Sequence, residues 1–217
     1  MQIKIEKVKE AAHDLRFLLN RKYRKKNALE FVSNKYLLNR QERNFLARSV
    51  FSKSKSDERR AKITNIDEIE GKILIVDGYN VLITVESILY GDFDSIVLCD
   101  DNVVRDLKAV FGKYKFSEIT EIALNLILTL ISRYKPLNIV FFLDNPVSFS
   151  GKLAGLVMDI MDNLGLKGIV KLSKNVDMEI KAIASREDVV VATSDSVIID
   201  NVNKFVDIPS YFLNNKN

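Results

Sequence analysis

The chain has 217 residues, 47% hydrophobic and 29% charged, an ordinary composition for a folded globular protein. Its formal net charge is +4, with one cysteine, Cys99, and one histidine, His13. Those two counts exclude an internal disulfide framework and a Cys/His zinc site, and a Ser-His-Asp triad would have to use His13, far from any candidate nucleophile. Carboxylates, amides and hydroxyls remain for chemistry, and a reducing cytoplasm is the expected compartment.

Residues 1–10 are charged throughout and carry no apolar core of a targeting segment, so no membrane association is expected. Ile5, Val8, Ala12, Leu15, Leu18 and Leu19 keep helical spacing. Asn27 with Glu30 is a cap-box-like pair that would start a second helix, and Asn39 with Glu42 would start a third. Three short helices joined by tight turns resemble a helix-turn-helix in outline. Arg16, Arg21, Lys22, Arg24, Lys25 and Lys26 cluster around the end of the first helix, and Arg40, Arg43 and Arg48 recur on the third.

Residues 1–62 hold 18 Lys and Arg against 7 Asp and Glu, a balance of +11, whereas residues 63–217 sum to −7. Such asymmetry points to a polyanionic partner, and the functional reading of the basic residues is phosphate contact along a nucleic acid. The alternative is a face docked on the acidic body. The run Ser52-Lys53-Ser54-Lys55-Ser56-Asp57-Glu58-Arg59-Arg60 has no apolar periodicity and reads as a solvated linker. The predicted organisation is a basic helical domain over 1–52, a linker over 53–70 and a body over 71–217.

In the body, apolar runs at 72–76, 138–143, 168–172 and 188–193 alternate with helical patterns at 117–134, 152–164 and 176–185. The most apolar stretch, 119–131, is too short to cross a bilayer and reads as a buried helix. Apolar runs without alternation, separated by helices, predict an α/β fold with a Rossmann-like parallel sheet covered on both faces. In such sheets ligands bind beyond the C-terminal strand ends. Asp77, Asp144 and Asp195 stand at or just past three of those ends, and Asp177 begins the helix before the last strand. Converging carboxylates repel unless a cation neutralises them, and hard oxygen ligands suit one or two Mg²⁺ or Mn²⁺ ions. Taken singly, each acid also fits a turn, an N-cap or a first helical turn.

The run Ile73-Leu74-Ile75-Val76-Asp77-Gly78-Tyr79-Asn80-Val81-Leu82 closely resembles the first strand of the PIN-like nucleases, in particular their NYN branch with its Asp-Gly-Tyr-Asn. Asn175-Val176-Asp177-Met178-Glu179-Ile180 is similar to that branch's acid-then-helix segment, and Ala192-Thr193-Ser194-Asp195 to its closing Thr-Ser-Asp. The likeness covers roughly residues 72–200. The whole chain, including Asp14-Leu15-Arg16-Phe17-Leu18-Leu19-Asn20-Arg21, resembles an uncharacterised archaeal family with a small helical N-terminal domain and a PIN-like C-terminal domain. The resemblance implies a metal-dependent ribonuclease fold. The reaction expected is phosphodiester hydrolysis, with RNA favoured over DNA. Asp77, Asp177 and Asp195 would bind metal, Asp144 would be a fourth ligand or an outer acid, and Asn80 would orient substrate or a ligand carboxylate.

Three departures are visible. Many NYN proteins carry a second Asp two residues after the last one, where this chain has Val197; Asp200 is the nearest substitute. Residues 84–115 read as a long insertion, whose Asp101, Arg105 and Asp106 either complete the site or, with Asp100, serve turns and caps. Ser148 and Ser150 open a helix, where hydroxyls and amides hold a phosphate or simply cap it; Ser194 is a further candidate site residue, and Ser194-Asp195 also fits a cap of the helix that follows. The Val197 departure keeps open a non-catalytic nucleic-acid-binding protein with a degenerate PIN-like domain. No Walker A run or dinucleotide fingerprint is present. A haloacid-dehalogenase-type site resembles the Asp77 strand but calls for a second Asp at position 79, which is Tyr.

Overall fold

The computed structural model describes residues 5–107, 114–147 and 149–214. The apolar runs at 73–77, 138–144 and 189–192 become parallel strands because they are buried and must satisfy their backbones with neighbours, whereas 168–173 pairs on one side only and is largely exposed. β1 (Ile73–Asp77) is central, followed by α5 (Gly78–Tyr90). β4 (Asn138–Asp144), β5 (Gly168–Ser173), β6 (Val189–Ala192) and β7 (Phe205–Val206) complete the sheet in the order β5-β4-β1-β6-β7. Every pairing in it is parallel.

Numbered by appearance within the sheet, that order is 3-2-1-4-5. The chain winds outward from β1 through β4 to β5, then returns to the other side of β1 with β6. A topological switch point therefore falls between β1 and β6, and the crevice beyond their C-terminal ends is where such sheets place ligands.

Two apolar layers cover the sheet. On one face α5, α6 (Glu118–Arg133) and α7 (Ser150–Asn163) bury Leu82, Val85, Leu124, Ile127, Leu153 and Val157 against Leu74, Val76 and Phe141. The stretch read as a buried helix is α6. On the other face α8 (Val176–Ile183) and α9 (Ser196–Asp200) bury Val176, Ile180, Ile198 and Ile199 against Ile75, Phe142 and Val191. α10 (Ile208–Asn214) closes the chain. Among the described residues no helix is long and apolar enough to cross a membrane.

The N-terminal region is helical: α1 (Ile5–Asn20), α2 (Lys25–Lys35), α3 (Arg40–Ser49) and α4 (Lys53–Arg60). Asn39 caps α3 in a full capping box with Glu42, as its spacing predicts. α2 instead begins at Lys25, two residues before Asn27, with no side-chain cap.

Two expectations are corrected. Residues 53–60 are not a solvated linker but α4, capped by the Ser52 hydroxyl, with Ser56 and Arg59 buried. Polar composition hid this helix because its inward-facing group is an arginine held by ion pairs, not an apolar stripe. The supposed insertion begins inside α5, which runs on to Tyr90. Beyond it lies an antiparallel pair, β2 (Ile96–Leu98) and β3 (Val104–Asp106). The pair is too short for a periodic signal. It forms the seam with the helical head, where Phe51 packs on Val97 and Cys99.

Candidate active site

β1 delivers Asp77 to the C-terminal edge of the sheet, and the next residue must be glycine. A Cβ on Gly78 would lie 2.4 Å from the Phe141 ring and 2.5 Å from the Phe142 carbonyl oxygen. The tight approach lets α5 start without a loop. The carboxylate of Asp77 is buried and accepts a hydrogen bond from Thr193 Oγ1 at 2.7 Å. Thr193 Oγ1 in turn accepts from the Asp195 backbone N–H at 3.0 Å. One hydroxyl thus ties the ends of β1 and β6 together.

Asn80 makes a second tie. Its Oδ1 accepts from both the backbone N–H and the hydroxyl of Ser194, each at 2.7 Å. Asp195 is the N-cap of α9 and accepts from Val197 N and Ile198 N. Its cap role and its place at the edge coexist, since a carboxylate has about four acceptor positions.

Asp144 ends β4. Asp77 stands level with Phe142 in the register, so Asp144 projects two residues further on the same face. Asp177 lies in the first turn of α8 and is exposed. The four acids share one field. Burial, then the charges of Asp195, Asp177 and Asp144, push the Asp77 carboxyl up to about 8, against the opposing Thr193 hydrogen bond. Burial and Asp177 raise Asp144, and burial and Asp195 raise Asp177. Yet among the described residues no three His, Cys, Asp or Glu side chains come close enough to hold an ion. The acids feel one another without forming a coordination shell, as mutually repelling carboxylates do.

The Tyr79 hydroxyl is buried with no hydrogen-bond partner among the described residues, and burial with the Asp144 charge pushes it up to about 12. Its ring packs edge-on against Tyr114, 5.0 Å between centroids.

Several expected site residues belong to other machinery. Asp101, fully buried, accepts from Arg105 Nη1 at 2.7 Å and from Arg59 Nη1 at 2.9 Å. Asp200 accepts from Arg59 Nε at 2.8 Å and pairs with Lys55 at 3.2 Å, so it is no substitute for the acid missing at Val197. Asp100 holds Arg16 through two bonds of 2.7 and 2.8 Å. Arg105 Nε reaches the Ser194 carbonyl at 2.7 Å, which links this ion-pair clamp to the site. Asp106 is buried at the end of β3. The Ser150 hydroxyl donates to the Asn145 carbonyl at 3.2 Å, and the N-cap of α7 is Phe149, at φ 66°. Ser148 lies outside the described residues.

The basic residues divide. Arg16 is paired to the body, and Lys25 donates to the Val50 carbonyl at 2.7 Å while sitting 3.8 Å above the Phe51 ring. Burial, with Arg59 and Arg105 nearby, pushes the Lys25 ammonium down to about 8. Arg48 donates to the Asp106 carbonyl. Arg21, Lys22, Arg24, Lys26, Arg40 and Arg43 are exposed. The docked-face alternative therefore holds for three of the nine, which the sequence could not separate from the rest.

Sequence reasoning missed two contributors. Thr193 was visible only as part of a motif, and nothing local marks it as the group that orients Asp77. The second is a cavity of about 200 Å³ at the switch point, lined by Asn80, Ser194 and Asp195 from the body and by Ala47 and Arg48 from the head. Only tertiary docking brings α3 there.

Residues 66–211 match a family model described as Domain of unknown function (DUF5616), and residues 7–62 match one described as Protein of unknown function (DUF434). An uncharacterised protein of the archaeon Methanocaldococcus jannaschii is 40% identical over 206 residues, covering 94% of each chain. No solved structure matches.

Proposed function

The chain belongs to the family described as Domain of unknown function (DUF5616), and from the geometry of its site we propose that it is a metal-dependent nuclease that hydrolyses phosphodiester bonds, RNA rather than DNA. The observation that carries this reading is the shared field of Asp77, Asp144, Asp177 and Asp195 at the switch-point edge. Four carboxylates held there against their own repulsion fit a hard divalent cation. Asp77, Asp177 and Asp195, with Asp144, would hold Mg²⁺ or Mn²⁺, whose chemistry is Lewis-acid stabilisation of a phosphodiester under attack by water. Thr193 fixes the carboxylate of Asp77, and Asn80 fixes the Ser194 turn that presents Asp195. The exposed basic residues of the head supply phosphate contacts. Exposed Phe17, Tyr23 and Phe31 accompany them, the mixture that suits stacking on unpaired bases.

The test is direct. Mn²⁺ at about 100 times its Kd should stabilise the protein by about 2.7 kcal/mol, a rise of roughly 5–10 °C in Tm. The loaded protein should cleave a single-stranded RNA, and EDTA should stop it. Neither a shift nor cleavage would sink the nuclease reading. It would favour a nucleic-acid-binding protein without catalysis, the reading that the Val197 departure keeps open.

Affinity should carry the mark of the head. Replacing Arg21, Arg24 and Lys26 by glutamine removes three exposed charges. On single-stranded RNA, each phosphate contact contributes a slope of about −0.7 in log K against log salt. The triple variant should therefore flatten the slope by about 2. An unchanged slope places the phosphate contacts elsewhere.

A further inference from the structure

Among the described residues four arginines stand at the seam between head and body, and three of them are matched by carboxylates. Arg16 has Asp100, Arg59 has Asp101 and Asp200, and Arg105 has Asp101. Arg48 is the exception. Among the described residues its one hydrogen bond goes from Nη1 to the carbonyl oxygen of Asp106, a neutral acceptor. A half-buried guanidinium that makes one hydrogen bond among the described residues, to a carbonyl, has further N–H donors left for a ligand. Burial lowers its pKa, and the carboxylates of Asp195 and Asp106 nearby offset this only in part.

Arg48 lines the cavity of about 200 Å³ together with Asn80, Ser194 and Asp195. The cavity is smaller than the roughly 300–1,000 Å³ pockets that engulf whole small molecules. It suits one group of a longer ligand. A planar guanidinium facing a small polar cleft matches two oxygens of a phosphate. Asp195, one of the four acids, lines the same cavity, as do Arg105 and Asp106, so a phosphate held by Arg48 lies beside the proposed reaction centre.

We propose that the cleft between α3 and the switch point is a composite substrate site, in which Arg48 of the head binds a phosphodiester of a single-stranded polynucleotide next to Asp195. The inference rests on the nuclease reading for the meaning of that neighbour, but not for the binding itself. The helical head then does more than attract nucleic acid: it forms one wall of the site. Ala47 shares that wall, and its small side chain leaves the cleft open.

The experiment measures binding of a fluorescent hexauridylate to the full chain in EDTA, where no cleavage occurs. Arg48→Ala should weaken binding by about 10- to 100-fold, the range for loss of a hydrogen-bonded charge pair. Arg48→Lys should recover part of it, and Arg133→Ala, an exposed arginine at the end of α6, should not change it. Ala47→Glu puts bulk and negative charge into the cleft without touching Arg48's bond to Asp106. It should weaken binding equally, and it decides the matter if Arg48→Ala does not fold. Unchanged affinity in both variants overturns the proposal. UMP displacing the strand at equal concentration also overturns it, because the ligand would then be a mononucleotide and not an internal phosphodiester. The two readings separate cleanly. Arg48-dependent binding without Mn²⁺-dependent cleavage leaves the cleft standing and removes the nuclease; cleavage that ignores Arg48 does the reverse.

Discussion

Asp77→Asn is expected to raise the melting temperature of the metal-free protein while cutting metal-dependent cleavage by about 10³-fold or more, the loss of roughly 4 kcal/mol of transition-state stabilisation. The two effects have one cause. Asp77 is buried among like charges, and its carboxyl is pushed up to about 8 from an ordinary 3.8. A carboxyl whose folded pKa is raised contributes stability that is complete below the unfolded value and is lost as pH rises through the folded one. For Asp77 that window runs from about pH 4 to about pH 8. Asparagine never ionises and still accepts the Thr193 hydrogen bond, so the variant escapes the loss. The gap between 3.8 and about 8 bounds the gain at on the order of 5 kcal/mol, and water around the exposed Asp177 reduces it. A Tm rise of roughly 5–10 °C at pH 8, fading to nothing near pH 4, is the expected result. Mn²⁺ should reverse the ranking, stabilising the wild type and not the variant. A variant that melts no higher than wild type at pH 8 would show that the four acids do not share a field.

Asp101→Ala is expected to cost about 3–5 kcal/mol, with Tm lowered by about 10 °C or more. Asp101 is fully buried and holds two guanidinium groups, Arg59 from α4 and Arg105 from β3. Removing it leaves two buried charges sharing what remains: Arg59 keeps Asp200 and Arg105 keeps the Ser194 carbonyl. The Phe51 ring, with Lys25, Arg59 and Arg105 at 3.8, 4.3 and 5.3 Å, would then sit amid three cations and one fewer counter-charge. Proteolysis should expose the weak point, since α4 is anchored by this clamp and has almost no apolar face. Cleavage within residues 53–70 should become fast in Asp101→Ala and stay slow in wild type. Equal melting temperatures would mean the head is held by its apolar seam at Phe45, Phe51 and Val97 and not by the clamp.

Much of the body was legible because its signals are local. A continuous apolar run such as Ile73-Leu74-Ile75-Val76 carries its own burial, and the helices between such runs carry a 3.6-residue period. Four of the five strands of the parallel sheet stand where those runs predict. The fifth, β7, is two residues long and gave no signal. The four acids were legible for the same reason: Asp77, Asp144 and Asp195 stand at strand ends that can be read from sequence, Asp177 opens the helix before the last of those strands, and parallel strands align their ends.

The seam was not legible, because its chemistry joins residues far apart in the chain. Arg59 and Asp200 are 141 residues apart, and Arg16 and Asp100 are 84 apart. No pattern around Arg59 distinguishes a buried clamp from a solvated charge run, so α4 looked like a linker. Nor does any pattern around Arg48 separate it from Arg43 on the same helix. Sequence alone determined four parallel strands, the helices between them and the carboxylates at their edge, since apolar runs and helical periods are patterns of a few residues at a time; the order of the strands came only from the structure. Tertiary structure alone decided which charges face one another across the seam, because an ion pair depends on where two distant side chains meet and leaves no trace in the residues beside either one.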